Sequence, residues 1–365
     1  MKVLVAPDRF EPTVKPLAAA QAMARGLTHA IPTVVSILRP LTSGGQGTTD
    51  LAVRAGGGRI RHWDFSVPGH RSRPVKWAEL PDGSIIFDAK DALGDPNHGA
   101  EPLFYSDSFP VGWMLQKALS LNPKRVLVSL GDVVVADGGL GLLRAFGVNV
   151  FGPDGKPVQG LRKLVTWQTY DFSQLNPSSI PILGLVDTKS SFQENVQNGT
   201  FRLDLLHNGL NQALDRLAQT FNQHVALPVS QIPGSAAGGG LGLALAFLGA
   251  SFLSAGDYLA DLWALPELLL DVDWVFTGCT TLGASVRDGA VGTVSRLARD
   301  YGVPAIALAA VLDKGHADLY VEGLSGIYPL LDRPRPTPSV WRSLATLIEH
   351  AAYRVGLWMQ ALSED

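Results

Sequence analysis

Three aspartates and four glycine-rich bends are the residues whose types and spacing could do chemistry here. Asp8, Asp137 and Asp187 each follow or close a strand-plus-turn, where a carboxylate can hold magnesium or take the proton of a hydroxyl group. The bends are Gly44–Gly47, Gly131–Gly141, Gly234–Gly242 and Gly278–Gly283. A strand, a glycine bend and then a helix present backbone N–H groups to an anion, so bends of one kind repeated along the chain suggest a phosphate-type cleft. For each aspartate alone an Asx-turn or a helix N-cap is the competing reading, and for each bend a tight turn or close helix packing. Arg9, Lys189 and Lys314 are cations that could meet a phosphate. No Walker A sequence occurs, and no G-x-G-x-x-G follows a strand with an acidic residue behind it. The eight histidines lack metal-ligand spacing. Cys279 reads as a buried, inert thiol because no histidine partner can be argued for it.

The unit from Lys124 to Leu143 shows the difficulty. A buried strand over Arg125 to Leu130 runs into Gly131, and Asp137-Gly138-Gly139 opens a helix that stops at Gly147. Between the glycines lie Val133, Val134, Val135 and Ala136, whose side chains form no hydrogen bonds. The scaffold of an anion site is there and its polar lining is thin.

At 365 residues the chain exceeds what one core usually supports and suggests two domains. Hydrophobic residues at 46% and charged ones at 17% point to a well-buried globular protein. A net charge of −3 gives no electrostatic case for nucleic acid or an anionic membrane. A single cysteine excludes an intrachain disulfide framework and suits a reducing, cytoplasmic setting. The longest apolar run, Leu241 to Ala255, is broken by Gly242, Gly249 and Ser251 and reads as a core helix, short of the approximately 20 residues a spanning helix needs.

Strands expected over 2–6, 34–38, 272–277, 304–309 and 326–330 alternate with helices, the signature of a parallel sheet. The middle reads differently. Runs at 60–67, 75–80 and 84–88, with Pro81-Asp82-Gly83 as a turn, predict hairpins. Strands at 148–151 and 180–186 are expected to complete a second sheet, 191–201 a loop, 203–221 a helix with Leu206, Leu210, Leu214 and Leu217 on one face, and 339–362 a long terminal helix. The architecture predicted is α/β: a Rossmann- or flavodoxin-like parallel-sheet domain (1–56 plus 250–365) with a mixed-sheet α/β domain (57–249) inserted. Ligands are expected in the cleft between the two, near the carboxyl ends of strands.

Read along its whole length, the chain resembles the bacterial glycerate kinases. The opening MKVLVAPDRFEPTVKPLAAAQAMARGL, then SGGQGTTD, GDVVVADGGLGLLRAFGV, VDTKSSF, GSAAGGGLG, WVFTGCTTLG and RLARDYGVPAIALA follow the order of that family's motifs. The resemblance implies two α/β domains, one inserted in the other, and transfer of the ATP γ-phosphoryl group to glycerate with Mg2+. It further implies that Asp8, Asp137 and Asp187 are catalytic, the last two as metal ligands. Gly44, Gly45, Gly47, Thr48, Gly138, Gly139, Gly238, Gly239 and Gly278 would cradle the nucleotide. It leaves open a homo-oligomer or a protein partner.

The departures are as systematic as the match. Ser, Lys and Gly after the family's first Asp become Arg9, Glu11 and Pro12, and an Asp and a Glu become Ser43 and Gln46. A Gly-Ser-Ala-Thr-Asn run becomes Asp132 to Ala136, Asn-Pro becomes Ser190-Ser191, and Glu-Gly-Arg-Ile-Asp becomes Cys279 to Gly283. Arg287-Asp288 stands where a Gly-Lys pair is expected. Phosphoryl transfer depends on positioned charge, so the resemblance implies a reaction that is weak, redirected or lost, or a non-catalytic binding or scaffolding module on the same fold.

Overall fold

The computed structural model describes the chain apart from residues 12, 68–69, 95–106, 134, 136, 160–163, 176–177, 199–207, 332–336 and 364–365. Among the expectations above, Pro12, Val134, Ala136, Leu206, the side chain of Leu210, the end of 191–201 and the start of 203–221 lie outside the described residues. The chain divides into two compact units: Met1–Ser43 with Ala255–Asp365, and the inserted Gly44–Ser254.

The first unit begins with β1 (Lys2–Val5), whose Val-Leu-Val is wholly buried. α1 (Pro16–Ala30) follows: Pro16 sits in its first turn, where no N–H is missed, and its alanines bury one face. β2 (Val35–Leu38) pairs with β1 in parallel.

The inserted unit opens with α2 (Thr48–Gly56) and the hairpin β3 (Arg59–Phe65) and β4 (Arg73–Glu79), on which Trp63 and Trp77 stack at 4.3 Å. The expected turn at Pro81-Asp82-Gly83 leads to β5 (Ile85–Asp88), where the Gly83 N–H donates to Leu80 O. Then come α3 (Ala89–Leu93), α4 (Phe109–Ser120), β6 (Val126–Ser129) and α5 (Leu140–Ala145). β7 (Asn149–Phe151) and β8 (Thr169–Asp171) follow, then β9 (Ile182–Val186), α6 (Phe192–Gln197), α7 (Asn208–Gln223), α8 (Leu241–Phe247) and β10 (Ser251–Ser254). The sheet order is β10-β9-β6-β5-β4-β3, parallel through β5 and antiparallel beyond it. This is the mixed sheet expected from the sequence.

Back in the first unit lie α9 (Ala255–Leu262), α10 (Leu265–Leu269), β11 (Trp274–Leu282), α11 (Ala290–Asp300), β12 (Ala305–Leu312) and α12 (Asp318–Glu322). β13 (Leu324–Pro329), α13 (Thr337–Arg342) and α14 (Leu344–Ser363) end the chain. The sheet order β13-β12-β11-β1-β2 is all parallel, which is the flavodoxin-like 2-1-3-4-5 order counted within this unit. Among the described residues no helix is long and apolar enough to cross a membrane.

Several expectations are corrected. The strand at 148–151 leaves the main sheet and forms a two-stranded ribbon with β8. The expected loop after Ser191 contains α6, held by a capping box in which Ser191 and Glu194 satisfy each other's backbone N–H groups. The apolar run 241–255 is a short helix, a turn at Gly249 and then β10. The terminal helix is interrupted at Ser343. The first crossing between units lies ahead of the Gly44–Gly47 bend and not behind α2, because Asp88 at the end of β5 binds the first N–H groups of that helix.

Candidate functional site

In the first unit the candidate groups gather where β1 ends. The Asp8 N–H donates to the carbonyl of Gly278, which sits within β11 in register with Leu308. Asp8 is nearly buried; its Oδ1 accepts from Arg9 N at 2.7 Å and its Oδ2 from Ser43 Oγ at 2.5 Å. Ser43 Oγ in turn accepts from Ala290 N, the first residue of α11, at 3.0 Å. A hydroxyl thus links the Asp8 carboxylate to the positive end of a helix. Arg9 pairs with Glu11. The Cys279 thiol is buried and donates to Thr281 O at 3.2 Å; burial, with Asp8 nearby, pushes its pKa far above the ordinary thiol range. It stays protonated and is no nucleophile at neutral pH.

In the inserted unit Asp137 is committed to the protein itself. It is 2% exposed; Oδ2 accepts from Ser108 N (3.0 Å), Ser108 Oγ (2.8 Å) and Gly141 N (3.0 Å), while Oδ1 accepts from Gly139 N (3.0 Å). Ser108 Oγ also accepts from Leu142 N at 2.8 Å, so carboxylate and hydroxyl together bind the first N–H groups of α5, and Asp137 ties that start to Ser108, the residue ahead of α4. Burial and the Asp107 carboxylate push the Asp137 pKa up, against the hydrogen bonds from Ser108 and Gly141.

The Gly44–Gly47 bend is filled in the same way. Gly47 N donates to Asp88 Oδ2 (2.8 Å), and Thr49 N and Oγ1 donate to Asp88 Oδ1 (3.0 and 2.7 Å). Thr48 N and Oγ1 turn back to Gly45 O. Gln46 N donates to Asp132 Oδ2 at 3.0 Å, and Asp132 lies in the left-handed region at φ 61°. A Cβ on Gly45 would stand 1.6 Å from that carboxylate oxygen. Gly44 supplies a carbonyl to Gly131 N and to the Ser129 hydroxyl. The N–H groups that could cradle a phosphate therefore meet Asp88 and Asp132. Burial and the Asp91 carboxylate push the Asp88 pKa up to about 7, against the donors from Thr49 and Gly47.

Gly138 and Gly139 serve the crossing of two backbones. A Cβ on Gly240, at φ 101°, would lie 2.5 Å from Gly138 Cα, and one on Gly139 would lie 2.7 Å from Gly240 O. Gly238 and Gly239, both left-handed, shape the bend ahead of α8. Asp187 stands half-buried at the carboxyl end of β9. Val133 packs against the unit's core, and Val135 is buried within it. Lys189 and Lys314 are exposed. Among the described residues no group of three or more His, Cys, Asp or Glu could hold a metal ion.

Asp88, Asp132 and Ser108 are the residues sequence reasoning missed. Asp88 ends a strand just as the other candidates do and was open to the same reasoning. Asp132 replaces a family glycine in a left-handed conformation that the sequence does not announce, and Ser108 meets Asp137 only through the fold.

The comparisons agree with this architecture. The family described as "Glycerate kinase family" matches residues 3–360. A glycerate kinase of Halalkalibacterium halodurans is 26% identical over 97% of both chains, and glycerate 2-kinase of Escherichia coli K12 is 25% identical over 91% of both. A crystal structure from Salmonella typhimurium LT2, of a protein given the provisional name glycerate kinase 2, superposes with a TM-score of 0.73 at 23% identity. It covers 100% of this chain and 99% of that one. Motif order, two-unit architecture and a match along nearly the whole length lead to one conclusion: the chain belongs to the glycerate kinase family.

Proposed function

We propose that this chain keeps the glycerate kinase fold while ATP-dependent phosphoryl transfer to glycerate is weak or lost. The observation that carries the reading is the saturation of Asp137, whose two oxygens meet donors from Ser108, Gly139 and Gly141 at a site closed to solvent. Magnesium demands near-octahedral oxygen ligation and usually keeps several waters. A carboxylate 2% exposed and surrounded by N–H and O–H groups does not fit that role.

Asp8 and Asp187 are the remaining candidates for contact with a substrate hydroxyl, and Gly238, Gly239 and Gly278 for contact with a nucleotide. Replacement of the motif residues by Ser43, Gln46, Val133 and Val135 supports the same reading, because each takes away a charge or a hydrogen-bonding group the family would use. Losing one positioned donor costs roughly 10²–10³ in rate, about 2.7–4 kcal/mol, and several losses together do not add simply. The saturated bend at Gly44–Gly47 favours a second form of the same reading, a binding or scaffolding module that acts on no phosphate.

Calorimetric titration of the full chain with magnesium and ATP, with and without glycerate, tests the proposal. No heat at millimolar nucleotide is expected. Micromolar binding that depends on magnesium and vanishes in Asp187→Asn would overturn it.

A further inference from the structure

In the first unit α14 buries one face on α1 through Ile348, Ala352, Val355 and Met359. The outward side of such a helix is expected to carry charge. Instead Tyr353, Leu357, Trp358 and Leu362 stand there between 39% and 56% exposed, with the exposed Ala361 among them. Spacings of three and four residues join them into one patch over the last turns of the helix. Between His350 and Ser363 the sequence holds no Asp, Glu or Lys. Arg354 is the one cation of this helix apart from its histidine, and it turns aside: its Nη2 donates to the carbonyls of Pro329 and Leu330, at 3.4 and 3.3 Å, where β13 ends. Tyr328 of β13 extends the patch, its ring centre 6.4 Å from that of Trp358.

Shape, symmetry and area fit a second copy of this chain. The patch is the convex side of a helix and not a groove, so it takes another helix laid ridge into groove rather than an extended peptide. It is also self-complementary. A twofold axis through Leu357 sets Tyr353 of each copy over Ala361 of the other, large against small, and brings no like charges together. The four large side chains expose roughly 400 Å², about half of the roughly 800 Å² that each partner of a stable dimer buries, which is the share an apolar interface core takes. A helix that lies on a membrane is rich in Lys and Arg on a solvated polar face, whereas the opposite face of α14 is packed on α1.

We propose that α14 is a homodimer interface, on which two copies of the chain pair antiparallel along this helix about a twofold axis at Leu357. The interface does not depend on whether the chain transfers phosphoryl groups.

Sedimentation velocity of the full-length chain, from low to high micromolar concentration, tests the proposal, and circular dichroism checks that each variant is folded. A dimer is expected in the wild type. Leu357→Glu sets two carboxylates face to face on the axis and raises the dimer dissociation constant about a hundredfold or more, with the circular dichroism unchanged because the position is exposed. Leu357→Lys alone does the same, and an equimolar mixture of the two variants restores a dimer. Val321→Glu, at a 79% exposed apolar position on α12, leaves the dimer intact. A monomer at every concentration, a dimer that survives Leu357→Glu, or two variants that stay monomeric on mixing overturns the assignment. A monomer that sediments with anionic vesicles overturns it in favour of a lipid surface.

Discussion

Replacing Asp137 by alanine separates a structural carboxylate from a catalytic one. The substitution strands Ser108 N, Ser108 Oγ, Gly139 N and Gly141 N in a site that is 2% exposed. Each buried donor left without a partner costs about 1–3 kcal/mol. Relief of the buried charge offsets part of that, and the donors are too close together to act independently. A net loss of about 3–5 kcal/mol follows, which is a large share of the roughly 5–15 kcal/mol that holds a domain folded. Asp137→Asn keeps the shape and one acceptor oxygen but turns an amide N–H toward other donors, so it should lose about half as much. Ser108→Ala, which removes one hydroxyl, should cost about 1 kcal/mol. Urea unfolding gives the magnitude, and amide hydrogen exchange at Gly139 and Gly141 locates it in the inserted unit. Loss of activity would not discriminate between the two roles. If Asp137→Ala unfolds within about 0.5 kcal/mol of wild type with unchanged exchange, the clamp is refuted and the carboxylate is free for a ligand.

Three further outcomes follow from the same geometry. Asp88, with its folded pKa pushed up to about 7 against an unperturbed 3.8, binds a proton more tightly folded than unfolded. Its contribution is most favourable below about pH 4, falls as pH rises through the window up to about 7 and is level above it, by of order 4 kcal/mol in all; a urea midpoint series over that range should slope less in Asp88→Asn than in wild type. Ser191→Ala removes the capping box of α6 and should cost about 1 kcal/mol, read as faster amide exchange at Glu194 with the rest of the inserted unit unchanged. Gly240→Ala must place a Cβ 2.5 Å from Gly138 Cα at φ 101°, so it should destabilise by more than about 2 kcal/mol in thermal unfolding, whereas Ala at the unobstructed Gly302 should cost no more than about 1–2 kcal/mol.

The parallel sheet of the first unit was legible because its strands are apolar runs divided by helices with plain stop signals, such as Ile31-Pro32 after α1. The hairpins of the inserted unit were legible through Pro81-Asp82-Gly83. β10 was hidden inside an apolar run in which helix and strand look alike until Gly249 breaks the helix. α6 carried a readable signal, serine followed three residues on by glutamate, which the absence of an apolar period outweighed.

The candidate site divides in the same way. Strand-end aspartates and glycine bends could be located from sequence, because glycine and a carboxylate at a turn mark local geometry. What those groups bind could not, because the partners come from far along the chain: Ser108 for Asp137, Asp88 for Gly47 and Thr49, Asp132 for Gln46. The glycines at Gly138, Gly139 and Gly240 keep two backbones in contact, which from sequence resembles a phosphate cradle.

The central claim is that the family's fold persists while its charge machinery does not. Its most direct test is the glycerate-dependent release of ADP from magnesium ATP, measured as kcat/KM beside an active glycerate kinase under identical conditions. At least about 10²–10³-fold less activity is expected, from the loss of even one positioned group. A kcat/KM within tenfold of the active enzyme, abolished in Asp187→Ala, would contradict it.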